Sequence, residues 1–278
     1  MSLMLKLSAI ALAGSSLLAA TNTEVESFLK KQIGANPRIK SMDVKTVERR
    51  AIKDPAGWDA LVLNLTATIK QGSSDKNVSQ RMVYFVNGDY LTENLTNIKT
   101  GESLKNSIAP EFKAEFYRKS NLIYGDEHAE HKVAIFSDPL CPFCRRFVPE
   151  AIKYMIKYPS KFAIYYYHLP LASLHPAAVT LTKAAIAAEL EGRRGVVLGM
   201  YNVKINSNER DEQKILDAFN KTLGTKITKK EIHSDAVKEH SAFDMNVVQT
   251  MMVHGTPTMF FDGKLDKTKS KYKAVKVK

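Results

Sequence analysis

The chain has 278 residues, of which 44% are hydrophobic and 25% are charged, and its formal net charge is +12. This composition is typical of a globular protein and excludes a disordered or fibrous chain, while the length allows one large domain or two smaller ones. The two cysteines are too few for a disulfide-stapled scaffold and cannot supply a four-thiolate zinc or iron–sulfur site.

The N-terminal segment has the pattern of a secretory signal peptide. Lys6 follows a short start, residues 7–18 are apolar or small, and Ala19 and Ala20 precede a polar stretch. The alternative is a hydrophobic helix or a membrane anchor, but spanning a bilayer takes roughly 20 apolar residues and this run is shorter. We therefore expect a signal peptide at 1–20, export with cleavage near Ala20, and a soluble mature chain.

Residues 21–100 are predicted to form a small α+β domain. Apolar residues at helical spacing indicate a helix near the start, and strand-like stretches follow at 39–50 and 58–69. A turn at Gly88-Asp89 predicts a hairpin between strands at 80–87 and 90–97. Because this part of the sequence contains no catalytic motif and no metal-ligand cluster, dimerisation or substrate holding is its default interpretation.

The rest of the chain is predicted to be a connector and an α/β domain. Residues 101–125 are polar with spaced apolar positions, which indicates a helical or partly helical connector. Strands and helices then alternate, which predicts a mixed sheet covered by helices. The expected strands are 133–137, 162–168, 258–261 and, after a turn at Asp262-Gly263, 271–277; the expected helices are 143–157, 176–191, and segments around 212–223 and 235–252.

The positive charge is concentrated at the C-terminus. The last fifteen residues contain seven lysines and one acidic residue, Asp266. Such a segment can bind nucleic acid or an anionic membrane, but no aromatic-rich basic groove or nucleic-acid motif accompanies it. A solvated basic tail is the preferred interpretation, and we expect no nucleic-acid partner.

Both cysteines of the chain lie in one motif, Cys141-Pro142-Phe143-Cys144, between a predicted strand and a predicted helix. Unpaired N–H groups and the helix dipole stabilise a thiolate at such a helix N-terminus, and Pro142 suits the first helical position because it lacks an N–H. Cys141 is therefore the predicted exposed nucleophile. Cys144, one turn later, is predicted to resolve the mixed disulfide formed with a substrate cysteine.

Three other interpretations of the cysteine pair are possible. A structural disulfide that closes so short a loop would stabilise the fold only weakly. Inert buried cysteines are not expected so close together in an exported chain. A zinc site would combine His128 and His131 with the two cysteines, but a stiff strand is predicted between the pairs. Redox chemistry is preferred, and we expect neither a metal nor a cofactor.

A second motif, His254-Gly255-Thr256-Pro257, leads directly into the strand predicted at 258–261. Together with the stretch from Asp138 to Cys144 and with His175-Pro176-Ala177-Ala178, it resembles the periplasmic DsbC/DsbG family of thiol–disulfide oxidoreductases, and the cysteine motif is closest to DsbG. The resemblance implies an α+β chain with a cystatin-like dimerisation domain at 21–100, a linker helix at 101–125, and a thioredoxin-like catalytic domain with a helical insertion at 126–278.

The same resemblance implies roles for individual residues. Cys141 and Cys144 would form a redox-active disulfide, and Thr256 and Pro257 would form a cis-proline loop that binds an extended substrate. Supporting roles would fall to Pro142, Phe143 and Asp138; Asp138 is expected to stabilise the turn, with a catalytic role as the alternative.

Two features depart from the thioredoxin pattern. The position six residues before the first cysteine, where thioredoxin has a buried acid, is Ile135, so the sequence offers no obvious internal proton acceptor for the Cys144 thiol. The final helix of a thioredoxin domain is replaced by a lysine-rich strand and tail, which leaves one face of the sheet without an evident cover.

The direction of the reaction follows only from partial resemblances. Pro142-Phe143 resembles the dipeptides of oxidising members, whereas Thr256 and a dimerisation domain resemble isomerases and reductases. We expect a periplasmic, homodimeric disulfide isomerase or reductase that acts on exported cysteine-containing proteins and is recharged by a membrane partner of the DsbD or DsbB type. A dimeric DsbA-like oxidase is the alternative, and a chaperone with incidental cysteines is a further one.

Overall fold

The computed structural model describes residues 19–72, 74–108 and 110–277. The chain divides into two compact units, a first unit of Met1–Ile108 and a second unit of Ala109–Lys278. Residues 1–18 of the signal peptide predicted at 1–20 lie outside the described residues. Within the described ranges, no helix combines the length and the apolar character needed to cross a membrane.

Among its described residues, the first unit contains one α-helix and a four-stranded antiparallel sheet whose strands follow chain order: α1 (Asn22–Gly34), β1 (Ile39–Ala51), β2 (Asp59–Gln71), β3 (Ser74–Asn87) and β4 (Tyr90–Thr92). Helix α1 begins at a capping box, in which the Thr21 hydroxyl accepts the Glu24 N–H and the Glu24 carboxylate accepts the Thr21 N–H. Alternate residues of β2, including Leu61 and Leu63, point to the helix side and form the core.

The predicted hairpin at Gly88-Asp89 is confirmed, because Asn87 pairs with Tyr90. The bounds of its strands differ from the predicted 80–87 and 90–97. Strand β3 begins at Ser74 because it pairs with β2 along its whole length, and β4 ends at Thr92.

The linker helix predicted at 101–125 is wrong. The described part of this segment contains three short 3-10 helices, Leu104–Ser107, Ala114–Phe116 and Lys119–Asn121, and then strand β5 (Leu122–Tyr124). Pro110 lacks the N–H that a continuous helix needs. The apolar residues Phe112 and Phe116 are instead buried in the second unit against its sheet.

The second unit is built on a five-stranded mixed sheet with the order β5-β7-β6-β8-β9, where β6 is His131–Ser137, β7 Phe162–His168, β8 Thr258–Phe261 and β9 Lys264–Leu265. Strands β6 and β7 are parallel, and the other pairs are antiparallel. The helices are α2 (Pro142–Met155), α3 (Pro176–Leu190), α4 (Val196–Met200), α5 (Glu212–Leu223), α6 (Lys229–Ile232) and α7 (Asp235–Thr250). The predicted mixed α+β architecture is confirmed.

Both faces of this sheet are buried, which explains the unbroken apolar sequence of β7. On one face, Ile164 and Tyr166 belong to a core formed with helices α2 and α3. On the other face, Tyr165 and Tyr167 pack in a core with Phe112 and with residues of α7. Neighbouring tyrosines of one strand therefore lie in different cores.

The strand predicted at 271–277 is also wrong. Residues Lys271–Ala274 form a 3-10 helix, and its Tyr272 is buried in the core on the α2 side of the sheet. Asp266, itself buried, accepts the Lys271 N–H at 3.0 Å and so anchors this segment. The C-terminal segment thus covers part of the face for which the sequence shows no final helix.

Candidate functional site

The two cysteines lie where β6 ends and α2 begins. Cys141 is the N-cap residue of α2, and Pro142 is its first residue. Cys141 is only 5% exposed, so the predicted exposed position is wrong, although Phe143 beside it is 63% exposed. Cys144, one turn into the helix, is completely buried, and both cysteines are free thiols.

The Asp138 carboxylate organises the loop that presents Cys141. One carboxylate oxygen accepts the N–H groups of Leu140 at 2.6 Å and Cys141 at 3.1 Å. The other accepts the Leu171 N–H at 2.7 Å and lies 3.0 Å from Nδ1 of His175. Because the side chain is completely buried, these contacts replace water around the carboxylate and hold the loop in one conformation.

Arg145 supports the same loop from inside the helix. Its guanidinium donates to the carbonyl oxygens of Pro139 at 2.9 Å and Val203 at 2.7 Å. Burial lowers the pKa of Arg145, with the Asp138 charge opposing that shift. Arg146 instead lies over the ring of Phe143, at 5.9 Å from the ring centre.

The loop before β8 forms the other side of the cysteine site. The Thr256–Pro257 peptide bond is cis. The carbonyl oxygen of Thr256 is 3.8 Å from the Cys141 sulfur, within reach of a thiol hydrogen bond. The predicted loop and the predicted nucleophile are therefore in direct contact.

Burial raises the pKa of the Cys144 thiol to about 11, although the side chains of Ser137 and Thr256 and the backbone of Asp138 act to lower it. The Thr256 hydroxyl is buried and has no hydrogen-bond partner among the described residues. At neutral pH, Cys144 is therefore a protonated thiol that is shielded from solvent.

A series of hydroxyl groups lies behind Cys144. The Ser137 hydroxyl is 2.6 Å from the Tyr201 hydroxyl, which is 2.7 Å from the Tyr166 hydroxyl. All three residues are buried. The sequence predicts neither this series nor the contact between His175 and Asp138. The only local signal is that Ser137 ends the strand predicted before the cysteine motif.

A second buried polar cluster lies at the end of β7. The Asp244 carboxylate accepts Nδ2–H of Asn121 at 2.7 Å and the backbone N–H of His168 at 2.9 Å. Nε2 of His168 is 3.2 Å from the Glu189 carboxylate. The cluster also contains His240, whose Nε2 is 3.7 Å from Asp244.

These groups have shifted pKa values. Burial raises the pKa of Asp244 to about 7 and lowers that of His240 to about 4. Burial also acts to lower the pKa of His168, but the hydrogen bond and charge of Glu189 raise it above its usual value.

The zinc site considered from the sequence is not assembled. Nδ1 of His131 is 2.8 Å from the Asp262 carboxylate, and His128 lies at the surface. In the part of the chain that the structure describes, no three His, Cys, Asp or Glu side chains are arranged to hold a metal ion.

The family model Thioredoxin_4, described as Thioredoxin, matches residues 118–277, more than half of the chain. This match confirms the predicted thioredoxin-like domain and, with it, the predicted class of enzyme, a thiol–disulfide oxidoreductase. No curated protein matches the chain significantly.

Several solved structures resemble the chain in part. Proteus mirabilis ScsC in a transitional conformation is 19% identical, with a TM-score of 0.45, over 56% of this chain and 74% of that one. A periplasmic thioredoxin-like protein from Salmonella enterica serovar Typhimurium is 18% identical, with a TM-score of 0.45, over 55% and 84%. A putative protein-disulfide isomerase from Pseudomonas syringae is 14% identical, with a TM-score of 0.47, over 55% and 96%.

Proposed function

The chain belongs to the thioredoxin family, and we propose that it exchanges disulfides with exported proteins through Cys141 and Cys144. One observation carries this proposal. Cys141 is the N-cap residue of helix α2, its sulfur lies 3.8 Å from the carbonyl oxygen of Thr256, and the Thr256–Pro257 peptide bond is cis. Such an arrangement places a thiol at the N-terminus of a helix, beside backbone groups that can hold an extended peptide.

The reaction begins with Cys141. Its thiolate attacks one sulfur of a client disulfide, so a bond forms between Cys141 and the client while the bond within the client breaks. The freed client sulfur leaves as a thiolate and takes up a proton. Asp138 holds the N–H groups of Leu140 and Cys141 in place, so the attacking sulfur keeps one position.

Cys144 completes a reduction. Its sulfur attacks Cys141, the Cys141–Cys144 disulfide forms, and the second client sulfur leaves with two electrons and takes up a proton. When the freed client thiolate instead attacks another disulfide of the same client, Cys141 is released as a thiolate and no net electrons move, which is isomerisation. Because Cys144 is completely buried, it meets only the disulfide at Cys141.

The preferred assignment is a disulfide isomerase or reductase of the DsbC/DsbG type. Thr256 before the cis proline and a separate first unit without catalytic motifs support this assignment. It entails a periplasmic homodimer joined through a cystatin-like first unit, exported cysteine-containing clients, and a membrane electron donor of the DsbD type. Gel filtration of the chain starting at Thr21 is expected to return a dimer, and a monomer would contradict this part of the proposal.

The trapping experiment tests the exchange itself. Cys144→Ala is expected to accumulate mixed disulfides with periplasmic proteins on a non-reducing gel, because the resolving thiol is absent. Cys141→Ser, the matched control, is expected to trap nothing. It is also expected no longer to accelerate the reduction of insulin by dithiothreitol. No adducts with Cys144→Ala would contradict the proposal. A Cys141→Ser variant that still suppresses client aggregation would support the chaperone alternative.

A DsbA-like oxidase recharged by a DsbB-type partner is the second candidate, because Pro142-Phe143 resembles the oxidising members. The redox state of the two cysteines in cells, fixed by acid quenching and alkylation with a mass tag, separates the two. Mostly reduced cysteines are expected for an isomerase or reductase. Mostly oxidised cysteines would identify an oxidase. The same alkylation repeated with a chelator excludes bound zinc as the cause of a reduced reading.

A further inference from the structure

We propose that Ser137, Tyr201 and Tyr166 form a hydroxyl chain that stabilises the Cys144 thiolate during the resolving step. The inference deepens the proposed function and rests on it. The three hydroxyl groups are consecutive neighbours at 2.6 and 2.7 Å. The Ser137 hydroxyl, at one end of this series, acts to lower the pKa of the buried Cys144 thiol.

The chain is assembled from three separate elements of the second unit. Ser137 is the last residue of β6, Tyr166 lies in the middle of β7, and Tyr201 directly follows α4. Strand pairing places Tyr166 opposite Ile135, on the face of the sheet that packs against α2. Three elements that are far apart in the sequence therefore bring these hydroxyl groups together on one side of the sheet.

The resolving step needs such a group because Cys144 is completely buried. A thiolate without hydrogen-bond donors in an apolar interior is strongly disfavoured. The position of the buried acid of thioredoxin is held here by Ile135, which is buried among apolar residues. Both carboxylate oxygens of Asp138 are already engaged by the loop and by His175.

Hydroxyl groups suit this task because each of them both donates and accepts. In each of the two contacts, either oxygen can be the donor. With a thiolate at Cys144, Tyr166 donates to Tyr201, Tyr201 donates to Ser137, and Ser137 donates to the sulfur. Hydrogen bonds in series polarise one another, so the donor nearest the sulfur is strengthened by the two behind it.

The tyrosines act as donors and do not themselves carry the negative charge. Burial raises the pKa of Tyr166 and of Tyr201 well above the usual value, so both remain protonated throughout the reaction. The proton lost by Cys144 is matched by the one that the departing client thiolate takes up. The Cys141–Cys144 bond forms, the bond from Cys141 to the client breaks, and two electrons leave with the client sulfur.

The test follows the two steps separately with Ellman's reagent. Its attack by Cys141 leaves a thionitrobenzoate group in a mixed disulfide, and Cys144 then releases that group as a coloured thiolate. In Tyr201→Phe, adduct formation is expected at the rate of the unmodified protein, whereas release at neutral pH slows about tenfold. The pH midpoint of release is expected to rise by about one unit, since one hydrogen bond to a charged group is lost or weakened.

Ser137→Ala removes the donor nearest the sulfur and is expected to slow release more than Tyr201→Phe, while Ser137→Thr restores it. The matched control is Tyr167→Phe. Tyr167 neighbours Tyr166 on the same strand and is equally buried, but its hydroxyl donates to the Phe116 carbonyl on the opposite face. This control is expected to release thionitrobenzoate at the rate of the unmodified protein.

The outcomes are distinct. Release at the unmodified rate and pH midpoint in both Tyr201→Phe and Ser137→Ala would overturn the role of the hydroxyl chain while leaving thiol exchange intact. Equal slowing by Tyr167→Phe would also overturn it, because the effect would then be one of packing. Failure of the unmodified protein to form any adduct at Cys141 would instead contradict the proposed function.

Discussion

The two units bury different kinds of side chain. Among the described residues of the first unit, every buried side chain is hydrophobic. The described residues of the second unit include ten buried polar or charged side chains: Asn121, Ser137, Asp138, His168, Thr180, Thr182, Thr225, His240, Asp244 and Asp266. A buried polar group destabilises a fold unless it is paired, so a concentration of them in one unit points to chemistry there.

The contrast also separates two roles within the second unit. Around the cysteines, Asp138 holds the loop that presents Cys141, and Ser137 acts to lower the pKa of the Cys144 thiol. At the end of β7, the cluster of Asp244, His168 and Glu189 has no contact with either sulfur among the interactions described. Differences in reactivity should therefore follow the first group, and differences in pH-dependent stability should follow the second.

The largest expected effect is a difference in reactivity between the two cysteines. With a pKa of about 11, only about one Cys144 side chain in a thousand is a thiolate at pH 8. Cys141, at the N-terminus of α2, is expected to react with iodoacetamide at least a hundredfold faster. Fragmentation mass spectrometry of the labelled peptide locates the modification, and equal labelling of both sulfurs would contradict the burial of Cys144.

The next largest effect is on stability, and it is tested by replacing one aspartate with alanine in each unit. Asp138→Ala leaves buried donors of Leu140, Cys141 and Leu171 without an acceptor, so it is expected to lower the unfolding free energy by about 3–5 kcal/mol. Asp43→Ala is the control in the first unit, because Asp43 is exposed and its ion pair with Lys30 measures 3.8 Å.

A change within about 0.5 kcal/mol is expected for this control. Urea unfolding followed by far-UV circular dichroism measures both variants, since most of the helix lies in the second unit. Similar losses in the two variants would mean that Asp138 does not hold the loop.

The elements that could be predicted from the sequence are those with local signals. Strand 162–168 and helix 212–223 are found at the predicted bounds, because an unbroken apolar run and an apolar periodicity define them. The start of α2 at the cysteine motif is also local, since a proline suits the first position of a helix.

The segments that could not be predicted have their partners far away in the sequence. The backbone N–H of Phe112 donates to the Gly263 carbonyl at 2.6 Å, so the connector pairs with a turn near the other end of the chain. The site also depends on contacts between residues distant in the sequence: the hydroxyl of Ser137 contacts that of Tyr201, and the Asp138 carboxylate contacts His175. No periodicity reports such contacts, whereas the cysteine motif and the Thr256-Pro257 loop carry their own sequence signals.

The third prediction concerns the apolar first unit. Leu63 is completely buried in its core, so Leu63→Ala is expected to lower the unfolding free energy by about 2–4 kcal/mol. The fluorescence of Trp58, the single tryptophan of the chain, measures this transition within the first unit. The rate at which iodoacetamide labels Cys141 should not change, because the residues that contact this sulfur and its loop lie in the second unit.

Ile98→Ala is the control for this variant, because Ile98 is 96% exposed. A change within about 0.5 kcal/mol is expected for it. If Leu63→Ala slowed the labelling of Cys141 while Ile98→Ala did not, the chemistry would depend on the first unit, and the contrast between the units would fail.

The smallest expected effect is a pH dependence from Asp244. Because its pKa rises from 3.8 to about 7 on folding, the folded chain holds a proton that the unfolded chain has lost, and stability falls as pH rises through this window. The pKa of His168 is also raised on folding, so its contribution to stability is fully present below its usual pKa of 6.5 and is likewise lost as pH rises. His240 acts oppositely, but its window, from about 4 to 6.5, ends below neutral pH.

Asp244→Asn should therefore remove a loss of about 1 kcal/mol between pH 6 and pH 8. Asparagine also weakens the contacts with Asn121 and the His168 N–H, but that loss is the same at both pH values and cancels in the comparison. Urea unfolding at the two pH values measures the difference, with Asp217→Asn, an exposed carboxylate on α5, as the control. Equal pH profiles for Asp244→Asn and the unmodified protein would show that Asp244 is ionised throughout, stabilised by its two donors, and carries no proton at neutral pH.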